Sequence, residues 1–330
     1  MKKRILGVGG PEVSALGFGC MGLSEFYGKA DDHESRKVIL SALESGVTYL
    51  DTADCYAAGA NEELIGSTLK EWHGEVFLAS KFGIVRKPGV YGREINGRPE
   101  YVRKAIEESL RRLKVDTLDL YYYHRIDVNT PIEETIGAMS DLVKEGKVKY
   151  IGISEASPAT IRRAHKVHPL TAVQSEYSLM TRDIEKSVFP VLRELGISFV
   201  AYSPLSRGLL SGTLDSDMLK QEGDQRTQFA PRLSGENFAS NQKLVDVLTE
   251  ISKEKGVTTA QLSLAWMLSK GEDIVPIPGT KRIKYLYENI KAVEIDLSLE
   301  EVLKIESAIP AEAVQGARYT EAGLVGLEEY

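Results

Sequence analysis

Eight short apolar runs, each followed by a helical pattern, constrain this chain more than any other feature. The runs fall at residues 15–19, 47–50, 76–80, 118–123, 148–154, 172–175, 198–202 and 274–277. Each is nearly continuous in Val, Ile, Leu, Ala or aromatic residues. That is the composition of a strand covered on both faces, as in a parallel sheet packed under helices. Helical patterns are read at 34–45, 62–71, 101–113, 132–145, 159–167, 184–195, 242–255, 259–269, 282–291 and 300–307. Gly46, Gly146 and Gly196 stand where helices end, and Pro131 and Pro158 where they begin, the usual asymmetry of these residues. Ahead of the alternation, 4–8 and 13–16 flank Gly9-Gly10-Pro11-Glu12 and read as a β-hairpin.

The pattern predicts an α/β fold: one parallel (β/α)8 TIM barrel, preceded by the N-terminal hairpin. A length of 330 residues would also suit two domains. However, no composition break divides the chain, so 1–330 is read as one domain. A doubly wound dinucleotide fold is disfavoured, because no G-x-G-x-x-G stands at a strand-to-helix junction. A long polar loop is expected over 203–240, and an insertion over 83–99.

Composition narrows the partners. A net charge of −7 argues against nucleic acid or an anionic membrane as the main partner. No run nears the ~20 apolar residues of a membrane span. The basic start, Met1-Lys2-Lys3-Arg4, runs into Gly7, Gly9, Gly10 and Pro11, which breaks the apolar core that a signal peptide needs. Cys20 and Cys55 are too few for a disulfide framework. They read as buried free thiols in a reducing compartment, and a cytoplasmic location is the expectation.

In a barrel, polar residues at the carboxyl ends of strands converge on one mouth. Here they are Asp51 with Tyr56 just beyond, then Lys81, His124, Ser154 with Glu155, Gln174 with Glu176, and Tyr202 with Ser203. Asp51 can pair with Lys81 and hold its charge. Lys81 beside Tyr56 is expected to favour phenolate and lower the Tyr pKa. His124 can hydrogen-bond a substrate oxygen. Together these groups suit proton exchange with a carbonyl or alcohol oxygen. A metal held by Asp51, Glu176 and His124 is a rival reading, but a single His with scattered carboxylates is no recognisable ligand set.

These residues resemble a known family. Leu16-Gly17-Phe18-Gly19, Asp51-Thr52-Ala53 with Tyr56, Ser80-Lys81, Gly152-Ile153-Ser154, Tyr202-Ser203-Pro204-Leu205 and Pro278-Gly279-Thr280-Lys281 look like an aldo-keto reductase over nearly the whole length. Ser154-Glu155-Ala156-Ser157 and His124-Arg125-Ile126-Asp127 look like its perakine-reductase-like subgroup and bacterial relatives. The resemblance implies a barrel whose bottom is closed by the N-terminal hairpin, and reduction of an aldehyde or ketone with NADPH, NADH being the lesser candidate. It implies Tyr56 as general acid, Lys81 and Asp51 as its support, and His124 orienting the carbonyl. For the cofactor it implies Ser154 and Gln174 at the carboxamide and Tyr202 under the nicotinamide. Ser203, Pro204, Leu205 and Arg207 are implied at the pyrophosphate, Gly279, Thr280 and Lys281 at the 2′-phosphate, and Glu288 and Asn289 at adenine. No metal is implied.

Two residues depart from the pattern. Glu155 replaces a common Asn, and Tyr285 replaces a common Arg. The resemblance also leaves open a cofactor-binding regulatory subunit of the same fold. Residues 225–233, with Arg226 and Arg232, are read as a lid or a solvated loop. Phe26, Tyr27 and Tyr91 point to an apolar or ring-bearing carbonyl, and 317–330 to a pocket wall or an oligomer contact.

Overall fold

The computed structural model describes residues 1–86 and 94–330. Tyr91 and the centre of the insertion read at 83–99 lie outside the described residues. Strands β1 (Lys3–Ile5) and β2 (Glu12–Ser14) form an antiparallel hairpin with Arg4 opposite Val13. The barrel strands are β3 (Phe18–Gly19), β4 (Tyr49–Asp51), β5 (Phe77–Phe82), β8 (Leu118–Tyr123), β9 (Val148–Ser154), β10 (Ala172–Glu176), β11 (Ser198–Tyr202) and β12 (Ile274–Pro276). Two short strands, β6 (Ile84–Val85) and β7 (Glu94–Ile95), pair with each other outside it. The eight barrel strands run parallel in the order β3-β4-β5-β8-β9-β10-β11-β12. The sheet meets itself where Gly17 and Gly19 donate to the carbonyls of Pro276 and Pro278, at 2.9 and 3.3 Å. A Cβ on Gly19 would lie 2.7 Å from the Ile277 carbonyl, so this seam needs glycine.

Helices α1 (Asp32–Glu44), α2 (Ala60–Thr68), α3 (Pro99–Leu113), α4 (Ile132–Lys144), α5 (Pro158–Val167) and α6 (Val188–Leu195) cover the first strands. After β11 come α7 (Arg226–Phe229), α8 (Gly235–Lys255) and α9 (Thr259–Ser269). Then α10 (Ile283–Ile290), α11 (Leu299–Ala308) and α12 (Glu321–Leu324) complete the chain. Asp31, Ser157 and Thr258 cap α1, α5 and α9 through their side chains, as N-cap chemistry favours. The 203–240 loop is more ordered than its sequence suggests. It holds α7, three 3-10 turns and the first turns of α8, which begins before the expected residue 242.

Strand alternation creates two cores. Tyr49, Phe77, Leu120, Tyr122, Val200 and Val275 point into the barrel, where Leu6 and Val13 of the hairpin join them. Leu50, Leu78, Tyr121, Ile151, Val173 and Phe199 point outward to the helices. The hairpin is also tied to the strand starts. Ser14 takes the Thr48 amide at 3.1 Å, and the Gly7 amide reaches Ser198 Oγ at 2.8 Å. The barrel's lower end is thus filled, and its open end is the one at the strands' carboxyl termini.

Gly152 makes room for an interior ring: a Cβ there would stand 2.5 Å from Tyr122 Cε1 and 2.5 Å from the Ala172 carbonyl. Gly152→Ala is therefore expected to cost about 1–3 kcal/mol through overpacking. The check is the urea midpoint, and an unchanged midpoint would show that the ring yields freely.

Candidate active site

Asp51 ends β4, Lys81 is the next-to-last residue of β5, and His124 directly follows β8. The register sets Asp51 beside Ala79 and Lys81 beside Tyr122, so the three side chains come from adjacent strands at nearly one level. Lys81 is fully buried. Its ammonium donates to Asp51 Oδ1, to the Thr52 carbonyl at 2.7 Å and to Tyr56 Oη at 3.3 Å. These use all three of its protons. Asp51 Oδ2 accepts from Gln174 Nε2 at 2.8 Å. Burial pushes the Asp51 carboxyl up, and Lys81 and Gln174 only partly offset this.

Tyr56 stands on a tight 3-10 turn, Tyr56–Gly59. Ala57, Ala58 and Gly59 follow with φ of 47, 53 and 94°. Left-handed backbone costs an alanine about 1–2 kcal/mol, so the turn must be held from outside. Thr52 Oγ1 donates to Asn61 Oδ1 at 2.6 Å, and Asn61 Nδ2 donates to the Cys20 carbonyl at 2.9 Å. The Asp54 amide reaches the Lys81 carbonyl at 3.0 Å. Gly59 lets Arg112 pass, since a Cβ there would meet Arg112 Cδ at 2.8 Å. The result is a phenol fixed above Lys81, whose Nζ lies 5.0 Å from the ring centroid. The His124 ring stands 5.8 Å from the Tyr56 ring at 82°, with its Nδ1 3.7 Å from Cys55 Sγ. Both cysteines are free and buried.

The direction of the Tyr56 shift differs from the sequence expectation. Burial raises the phenol well above its usual range, and the Asp51 charge adds to the rise. Desolvation of the phenolate, with the Asp51 charge, outweighs the lowering charge of Arg125. The phenol is therefore protonated at neutral pH. Asp54 sits behind the mouth. Its Oδ1 is buried with no hydrogen-bond partner among the described residues, and burial with Glu62 pushes its carboxyl up.

From Tyr56 a cleft of about 430 Å³ runs across the top of the barrel. Asp51, His124, Ser154, Gln174, Tyr202, Ser203, Pro204, Leu205, Arg207, Gly279, Thr280, Lys281, Glu288 and Asn289 all line it. Lys81 lies below its floor. Several of these groups are already engaged. Ser154 Oγ accepts from Arg125 at 3.2 Å, and Arg207 donates to Glu176 Oε2 at 2.8 Å. Glu288 Oε1 accepts from Thr258 at 2.9 Å. Lys281 Nζ donates to the carbonyls of Gly28 and Lys29, each at 3.0 Å. Neither Lys281 nor Arg282, which precedes α10, pairs with a carboxylate among the described residues. Burial lowers the Lys281 pKa.

A bridge crosses the cleft. Gln225 donates to the Phe26 carbonyl at 2.9 Å, and Gly28 to the Gly223 carbonyl at 3.1 Å. Arg226 pairs with Asp224 at 2.6 Å and donates to the Arg207 carbonyl at 2.9 Å. Arg232 instead reaches Thr181 Oγ1 at 2.6 Å and the Gly316 carbonyl at 3.1 Å. Near Tyr56 the lining adds Phe26, Tyr27, Ile84, Arg125, Tyr319 and the ion pair Arg86–Glu25 at 3.0 Å. Sequence reasoning assigned no role to Arg86, Glu25 or Tyr319 individually, since nothing local marks them as neighbours of Tyr56. Among the described residues, no cluster of three or more His, Cys, Asp or Glu is placed to hold a metal, and no helix is long and apolar enough to cross a membrane.

Comparison with known proteins bears on this geometry. The model described as "Aldo/keto reductase family" matches residues 15–310. "Probable aldo-keto reductase 1" of Glycine max is 48% identical over 316 residues, covering 95% of this chain and 90% of that protein. "Aldo-keto reductase yakc [NADP(+)]" of Schizosaccharomyces pombe is 45% identical over 317 residues, covering 94% and 93%. Among solved structures, the glycerol dehydrogenase AKR11B4 from Gluconobacter oxydans superposes with a TM-score of 0.84 at 27% identity, covering 94% of this chain and 96% of that one. The aldo-keto reductase AKR11C1 from Bacillus halodurans, in its holo form, gives 0.80 at 31%, covering 98% and 99%.

Proposed function

The chain belongs to the aldo/keto reductase family, oxidoreductases of carbonyl compounds, and from that premise we propose that it is an NADPH-dependent reductase of aldehydes or ketones with Tyr56 as general acid. The observation that carries this reading is the buried Asp51–Lys81–Tyr56 chain of hydrogen bonds ending in a protonated phenol at the cleft floor. Tyr56 gives its proton to the carbonyl oxygen, and Lys81 stabilises the phenolate left behind. Asp51 holds Lys81, and His124 orients the oxygen from the other side.

Residues 1–330 are taken as one barrel domain. The cleft fits an extended dinucleotide. Ser154, Gln174 and the Tyr202 ring would hold the nicotinamide end; Ser203, Pro204, Leu205 and Arg207 the pyrophosphate; Glu288 and Asn289 the adenine. At the far end, Gly279, Thr280 and Lys281 lead into the N-terminus of α10, a favourable place for phosphate. Lys281 and Arg282, two cations with no carboxylate partner among the described residues, suit a 2′-phosphate. The nicotinamide supplies the hydride; the chain supplies proton, orientation and a sheltered site. The name of the Schizosaccharomyces pombe relative, with its NADP(+), supports the same choice of cofactor. The partner is a small carbonyl compound.

The test is loss of NADPH absorbance with a panel of aldehydes and ketones. Tight NADPH binding without turnover on any of them would overturn the reductase reading in favour of a regulatory subunit. For the cofactor, Lys281→Met is expected to raise the NADPH dissociation constant about tenfold, the size of one charge-assisted contact, with little change for NADH. Equal losses for both cofactors would remove Lys281 from the 2′-phosphate.

A further inference from the structure

Glu155 follows the last residue of β9 with φ of +55°, a backbone state that few side-chain-bearing residues adopt. Such a residue persists only where its surroundings over-determine it. Its amide donates to the Gln174 carbonyl at 3.0 Å, and its own carbonyl accepts from the Glu328 amide at 3.1 Å. The carboxylate is wholly buried. Oε1 takes the Glu176 amide and the Tyr202 hydroxyl, both at 2.8 Å. Oε2 takes Arg318 Nη2 at 3.2 Å and the Tyr330 hydroxyl. Four donors fill the acceptor positions of a carboxylate, which leaves none for a cofactor amide. Burial alone would push this carboxyl up. The charges of Arg318 and Arg125 outweigh it, and Glu155 lies below the ordinary value, ionised.

Residues 317–330 are thereby tied to the mouth. Tyr319 Oη is 3.1 Å from Tyr202 Oη, and the Arg207 guanidinium stacks 4.5 Å over the Tyr319 ring. Further along, Glu328 accepts from the Ser157 amide at 2.7 Å and Thr160 Oγ1 at 2.9 Å, at the start of α5. Gly326 accepts from the Ile126 amide at 3.0 Å. Both tyrosine rings line the cleft.

We propose that Glu155 is a positioning residue: its carboxylate anchors residues 317–330 as a strap, and through Tyr202 and Tyr319 the strap sets two walls of the cleft. This chain uses Glu155 to hold residues 317–330 against the cleft. The effect on cofactor and substrate rests on the reading of Tyr202 given above; the strap itself does not.

Glu155→Gln, Arg318→Met and the double variant test this in the full chain. The first readout is cleavage within 317–330 by a non-specific protease, followed by mass spectrometry. The second is NADPH affinity by quenching of protein fluorescence, and the third is KM against kcat for an aldehyde. Breaking a buried, hydrogen-bonded charge pair from one side is expected to speed cleavage, and to raise both KM and the NADPH dissociation constant, by about tenfold or more. kcat should change much less, and the double variant should be no worse than the worse single one, because the two side chains act as a pair. Tyr330→Phe removes one hydroxyl donor only and should give a smaller rise, which keeps the test available if Glu155→Gln fails to fold. Protection and constants equal to wild type in Glu155→Gln, or a fall in kcat with KM unchanged, would overturn the proposal. If wild type itself does not bind NADPH, the cofactor reading fails, and the protease arm alone decides the strap.

Discussion

Tyr56→Phe is expected to lower kcat/KM for carbonyl reduction by about 10²–10⁴, the usual worth of a positioned general acid. The substitution keeps the ring and therefore keeps its edge contact with His124 at 5.8 Å and its place over Lys81 at 5.0 Å. What it removes is the hydroxyl 3.3 Å from Lys81 Nζ. NADPH affinity should stay within a factor of a few, because the lost group is not needed to bind the ground state. Stopped-flow turnover with fluorescence titration of NADPH separates the two effects. The raised phenol sharpens the expectation: Tyr56 carries its proton through neutral pH, so reduction needs no prior protonation event at that group. Turnover within a factor of ten of wild type would end the assignment of Tyr56 as acid.

Lys81→Met should damage both activity and stability. The ammonium is fully buried with three partners, and methionine keeps an unbranched chain, one atom shorter, without the charge. Removing it leaves Asp51 buried with Gln174 as its one remaining side-chain partner among the described contacts. Breaking a buried pair in this way costs about 3–5 kcal/mol. The sign of the pH dependence follows from Asp51. Its folded pKa is already raised by burial from 3.8, and loss of Lys81 raises it further. A raised acid favours the fold below its unfolded pKa and loses that advantage as pH climbs. The deficit of Lys81→Met should therefore be largest at neutral pH and shrink toward pH 3.8. Urea midpoints of wild type and variant across that range provide the measurement. A deficit independent of pH would mean that Asp51 does not carry it, and retained activity would separate Lys81 from the chemistry.

Much of this was legible in the sequence because parallel strands place their ends together. Asp51, Lys81 and His124 needed only the alternation of strand and helix to be brought to one mouth, and the observed register does so. The strand bounds moved by a few residues: Asp51 and Lys81 lie within β4 and β5 rather than just after them. Contacts set by tertiary placement were not legible. Glu155 meets Arg318 and Tyr330 from 163 and 175 residues away. Arg86 and Glu25 meet across 61. No local pattern encodes such pairs. The early start of α8 was hidden for a related reason. Its first turns are polar, and they are held by Asn237 and Asn241 donating to the carbonyls of Pro231 and Arg232 rather than by an apolar stripe. The Tyr56 shift was misjudged because a neighbouring cation can be read from sequence, whereas the depth of burial cannot.

The glycine–proline seam between β3 and β12 has a consequence for how the molecule is made. Its two hydrogen bonds join residues 17 and 19 to 276 and 278, so the ring cannot close until residue 278 has left the ribosome. Until then β3 and β11 present open edges, and sheet edges invite pairing with other chains. Proline on the closing side offers carbonyls but no N–H, which halves what that edge can offer a stranger. Closure is thus a late and non-local step of synthesis, and the strand that completes it is poorly suited to completing anyone else's sheet.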